Sequence, residues 1–202
     1  LKPEFAKLLV AAAVAATGPR SESYRLMMRP ILFNAFEALK DFAVEPPVEL
    51  NLVDQAAIQI IHGNIIATIG NHLGDLQYHQ RALASYQTAA ETLTAESTPA
   101  EWATVRYHLG QTAQAIGEKG GGVSMLVEAL ENYRSALDYF TKSGYPLEWA
   151  FLQSRVGLML YKTDPANGDS ENLKAAVAAF QSALQVITEA NSPLKWSEVK
   201  YN

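Results

Sequence analysis

The chain has 202 residues, 49% of them apolar and 18% charged, enough to bury a substantial core in one large domain or two small ones. A net charge of −5 argues against a nucleic-acid or anionic-membrane surface, which needs a basic stripe. The absence of Cys excludes a disulfide framework, a thiolate nucleophile and Cys-ligated zinc; it is compatible with a reducing compartment, and a cytoplasmic location is expected.

Residues 1–48 are the least regular. Pro3 and Glu4 suit a helix start, and the apolar run Leu8 to Ala16 predicts a buried, Ala-rich helix that ends before Thr17-Gly18-Pro19. That run could also be a signal-peptide core, but no clean cleavage pattern follows it, and it is far short of the ~20 residues that span a bilayer. Ser21 opens a second helical stretch, interrupted or restarted at Pro30. Ile31, Leu32, Ala35, Phe36, Leu39 and Phe42 then form one apolar stripe, which Glu45-Pro46-Pro47 stops. This region has the size of a degenerate repeat or a terminal cap.

From Leu50 onward one phrase returns: Pro99-Ala100-Glu101-Trp102, Pro146-Leu147-Glu148-Trp149 and Pro193-Leu194-Lys195-Trp196. These are the only three tryptophans, and both intervals, 149 − 102 and 196 − 149, equal 47. A fixed period of 20–50 residues marks a stacked-repeat protein. In the same register Gly63, Gly110 and Gly157 are equivalent, as are Ala82, Ala129 and Ala176, then Tyr86, Tyr133 and Phe180, then Ala89, Ala136 and Ala183. Gln55 stands where the other copies have Trp. The copies fall at 49–96, 97–142 and 143–190, with a truncated fourth over 191–202. The chain stops partway into that copy, as a piece excised from a longer protein would. A partial copy is expected to leave Trp196, Val199 and Tyr201 exposed, which favours self-association through that end.

Each copy predicts two helices, the first from about Pro99 to Gly117 and the second from about Val123 to Lys142 in the best-defined one. Turn-rich links join them, Gly117 to Gly122 in one copy and Asp164 to Asp169 in the next. The recurring small residues let a neighbouring backbone approach closely, and the large ring one turn away fills the next gap.

Leu109-Gly110 followed by Ala129-x-x-x-Tyr133-x-x-Ala136-Leu137 resembles the tetratricopeptide-repeat signature. Val156-Gly157 with Ala176-x-x-x-Phe180-x-x-Ala183-Leu184 does the same. The period is 47 rather than 34. The usual aromatics, three residues before the Leu-Gly pair and three after the Gly, are replaced by Arg106 and Ala113 in one copy and by Gln153 and Leu160 in the next. The long form is similar to extended repeats in bacterial multidomain regulators and, more distantly, in kinesin light chains. The resemblance implies an all-α fold, a right-handed superhelical stack of antiparallel helix pairs (a TPR-like α-solenoid). It also implies a concave groove, lined by the first helix of each pair, that takes a protein or peptide partner.

Carried over from the Gly positions, the groove candidates are Ile60 and Asn64, then Thr104, Tyr107, Gln111 and Gln114, then Phe151, Ser154, Leu158 and Tyr161. Asn64 and Gln111 are equivalent, and an amide there can hydrogen-bond a peptide backbone. Ile60, Tyr107 and Ser154 stand where an acid-binding clamp would want Lys, so an acidic C-terminal motif is not expected.

No catalytic constellation is visible. His62, His72, His79 and His108 lack metal-ligand spacing. The Gly120–Gly122 run follows a helix and lacks the Lys-Ser/Thr ending of a phosphate loop, and Asp164 to Glu171 fails the EF-hand pattern. The expectation is a non-enzymatic interaction scaffold without metal or cofactor, binding neither nucleic acid nor membrane. The alternative is a ligand- or peptide-sensing arm that controls an attached effector domain. The recurring Trp is expected to staple successive helix pairs rather than to bind a ligand.

Overall fold

The computed structural model describes residues 22–44, 50–164 and 170–201; the expected helix over 8–16, the stop at 45–47 and most of the 164–169 link lie outside them. Among the described residues all regular structure is helical, and the helices pack in consecutive pairs. They are α1 (Glu22–Val44), α2 (Leu52–Leu73), α3 (Leu76–Thr92), α4 (Pro99–Ile116), α5 (Val123–Ala136), α6 (Pro146–Thr163), α7 (Glu171–Leu184) and α8 (Pro193–Tyr201). The chain divides into two compact units, Leu1–Glu101 and Trp102–Asn202.

In the first unit α2 packs against both α1 and α3. Asn51 caps α2 by accepting from the Asp54 N–H at 2.9 Å, and Asp75 caps α3 by accepting from the Gln77 N–H at 2.9 Å. Gly63 faces the Tyr86 ring, and seven residues on, Gly70 faces Tyr78 and His79, so α2 and α3 run antiparallel. Leu32, Ala35, Leu39, Ile65, Ile66, Ile69, Ala82 and Tyr86 form the core. The expected break at Pro30 is absent: α1 runs through it. Pro30 is exposed, so the hydrogen bond it cannot donate is lost on the solvent side. By length and composition α2 could cross a membrane, although it carries Asp54, Asn64 and Asn71 and is packed on two sides.

In the second unit Gly110 faces Tyr133 and Gly157 faces Phe180, repeating the Gly63–Tyr86 contact at each turn of the 47-residue period. A β-carbon on Gly63, Gly110 or Gly157 would lie 2.6, 2.8 or 3.0 Å from the ring opposite, so the ring itself sets the spacing of each pair. A second match, Gly70 on His79 and Gly117 on Leu126, follows the same period. Ala129, Tyr133, Ala150, Leu152, Met159, Ala176, Ala183 and Ile187 are the centre of this core.

Two expectations need correction here. The second helix of the middle copy ends at Ala136, not near Lys142. The backbone tightens into a turn, with Asp138 N–H bonded to Ser135 O and Tyr139 N–H to Ala136 O, while Leu137 and Phe140 stay packed against the core. The apolar spacing therefore continues although the helix does not. Val199, expected to be exposed, is 4% exposed and belongs to the core; Trp196 is half-buried against it, and only Tyr201, at 84%, is open.

Candidate functional site

The expected groove residues divide by what their side chains touch. Tyr86, buried beneath α2, donates its hydroxyl to Asn64 Oδ1 at 2.7 Å. Tyr133, equally buried, donates to Gln114 Oε1 at 2.8 Å. Burial raises both phenols, so each stays a protonated donor. Asn64 and Gln114 are not equivalent in the period; each is the amide that reaches the ring hydroxyl of its own copy. In the third copy the ring is Phe180, without a hydroxyl, and the two matching positions carry Leu158 and Tyr161. These two amides therefore satisfy internal hydroxyls. Gln114 is itself buried.

From Gln114 a polar line runs outward. Its amide donates to Glu118 Oε1 at 3.0 Å, and Lys162 Nζ reaches the same oxygen at 2.5 Å. Burial pushes the Glu118 carboxyl up, but Lys162, Gln114 and Arg155 together hold it below its ordinary value. Glu118 sits in the wide turn Gly117–Gly121, where Lys119 and Gly120 leave helical geometry. Gly120 has φ 107° and Gly122 φ 86°, which glycine adopts without strain. The link is thus a turn, pinned to α6 through one ion pair.

Gln111 is exposed, and its amide donates to the Tyr107 hydroxyl at 2.7 Å. Tyr107 is half-buried, its ring 6.3 Å from Tyr133 and 5.5 Å from His108. Burial raises the Tyr107 phenol against the pull of Arg155 and Gln111. Burial lowers His108 to about 4, which Gln111 partly opposes. On α6, Phe151 is half-buried with Lys195 Nζ 5.3 Å from its ring, and Tyr161 is 57% exposed. Ser154 donates to the Phe151 carbonyl at 2.7 Å, so its hydroxyl serves its own helix. Thr104, Ile60 and Leu158 are half-buried.

The charges on this side were missed from the sequence. Arg155 pairs with Glu198 of α8 at 3.1 Å, and Lys195 lies 3.6 Å from the same carboxylate. With Phe151 and Leu158, Arg155 and Lys162 fall at i, i+4, i+7 and i+11, one helical stripe. That spacing is the signal that could have found them.

Each tryptophan carries a cation on its ring. Arg106 stands 5.5 Å from the Trp102 centroid, Lys142 5.2 Å from Trp149 and Lys200 4.3 Å from Trp196. Two of these come from the residue four along the helix; at Trp149 that place is Gln153, and Lys142 of the preceding turn supplies the charge. Trp149 and Trp196 also pack half-buried against the core.

His62 and His79 are packing residues. His62 stacks on Phe36 at 5.5 Å with Nδ1 3.0 Å from Ser85 Oγ, and His79 is buried against Gly70. Among the described residues no three His or acidic side chains are grouped to hold a metal. The shallow hollow lined by Leu32, Phe33, Ile69, His72 and Leu73 has no room for even a water-sized body, far below the ~300 Å³ at which small-molecule pockets begin.

No protein-family model, curated protein or solved structure matches the chain. Its class rests on its own geometry: consecutive helix pairs that make up all the regular structure among the described residues, with a glycine–aromatic contact repeated at 47-residue intervals.

Proposed function

We propose that the chain is a tetratricopeptide-like interaction module, stacked as a right-handed superhelix, that binds an extended protein segment along its row of first helices. It acts by binding rather than by catalysis. The observation that carries this reading is the way the first helices are tied to one another. Glu118, in the turn that follows α4, holds Lys162 of α6, and Arg155 of α6 holds Glu198 of α8. The same helices carry an exposed amide at Gln111, a half-buried ring at Phe151 and an exposed ring at Tyr161, which we take together as one binding strip. Such a strip offers hydrogen bonds to a peptide backbone and apolar faces to its side chains.

The test is affinity capture from a cell lysate with the whole chain and with a Gln111→Ala, Tyr161→Ala variant. Both positions are exposed, so circular dichroism should be unchanged while recovery of the captured protein falls. Equal recovery by the two proteins removes the strip from consideration.

A further inference from the structure

The turn between α5 and α6 carries an arrangement that the binding strip does not use. Tyr139 and Tyr145 place their hydroxyl oxygens 2.6 Å apart, with ring centroids 5.1 Å apart and planes inclined by 33°. Phe140 meets both rings edge-on, at 5.2 Å from Tyr139 and 5.4 Å from Tyr145. The Tyr145 side chain is 37% exposed, so small oxidants reach the pair from solvent. At the matching positions the other copies carry Thr92 with Thr98, and Val186 with Ser192. The pair belongs to this junction alone and is no requirement of the repeat.

We infer that Tyr139 and Tyr145 are a site of oxidative tyrosine coupling, which closes the turn between the second and third helix pairs with a carbon–carbon bond. The hydroxyl-to-hydroxyl contact brings the hydroxyl-bearing ends of the rings together, and the ortho carbons flank those ends. A one-electron oxidant, of the haem peroxidase and hydrogen peroxide class, removes one electron and one proton from each phenol. The two phenoxyl radicals share spin on their ortho carbons; these join, and each ring regains aromaticity by moving its ortho hydrogen to oxygen. Two phenols thus become one biphenol, with two electrons and two protons passing to the oxidant. The contact between the hydroxyls gives the first departing proton an acceptor, which eases the first oxidation. In a chain without Cys this is a covalent closure that needs no sulfur.

The experiment treats the dilute whole chain with a haem peroxidase and hydrogen peroxide, then digests it with trypsin. Cleavage at Arg134, Lys142 and Arg155 puts the two tyrosines on separate peptides, 135–142 and 143–155, each with a single Tyr. The expected product is those two peptides joined, lighter than their sum by two hydrogens, with the blue emission of a biphenol. Y139F and Y145F should each abolish it while leaving the circular dichroism of the chain unchanged. The inference is overturned if the emission maps to another pair, if it arises only in covalent dimers, or if either Phe variant retains it.

Discussion

Gly110 and Tyr133 share a single volume: a methyl on the glycine would lie 2.8 Å from two carbons of the ring, which is itself fully buried. In an ordinary helix Gly→Ala is favourable by ~0.5–1 kcal/mol. Here overpacking opposes that gain with a cost of ~1–3 kcal/mol. Gly110→Ala should therefore lower the stability of the second unit, read as a lower urea midpoint with an unchanged slope. A raised midpoint would show that the pair is looser than the contact implies.

The Tyr133 hydroxyl and Gln114 act as one component. Tyr133→Phe leaves the Gln114 oxygen buried without its donor, at a cost of ~1–3 kcal/mol. Adding Gln114→Leu should recover part of that loss, because donor and acceptor are then both gone, as they are around Phe180. Tyr86→Phe should cost less, since Asn64 is only half-buried and water can replace the phenol. A double-mutant cycle in which the Tyr133 and Gln114 effects simply add would contradict this coupling.

Acid should weaken the second unit before its carboxylates titrate. His108 is held down to about 4 by burial, against ~6.5 in an unfolded chain. Between those values the unfolded chain binds a proton that the folded one refuses. The stabilisation is complete above pH ~6.5 and is lost as the pH falls toward 4. His62, lowered by burial and then by Arg81, adds the same sign in the first unit. Urea midpoints taken at pH 7 and pH 5 should fall for the native chain and fall less for His108→Gln. Equal falls would place the effect elsewhere.

The pairing of helices was legible because one Gly, one aromatic ring and two alanine positions recur at a fixed interval, and a ring needs a gap of its own size. What period alone cannot show is where a hydrogen bond finds its partner. The Tyr86 hydroxyl is met at Asn64 and that of Tyr133 at Gln114, one helical turn apart in the repeat, so matching Asn64 with Gln111 by register does not reveal which amide meets the ring of its own copy. Helix ends were misjudged for a related reason. Leu137 and Phe140 keep their apolar spacing through a turn, and an apolar spacing does not record whether the backbone between them is helical. The Arg155 and Lys162 stripe went unread because the carried-over spacing looked one residue away, at Ser154.

All three tryptophans lie in the second unit, each beneath a cation and each at the start of a first helix, while the first unit has none. Indole emission from the unmodified chain therefore senses one half of the molecule, whereas far-ultraviolet ellipticity senses both. Comparing the two signals through a melt separates the halves without a label: coincident curves mean that they come apart as one body, and displaced curves mean that the chain is two independently folding pieces.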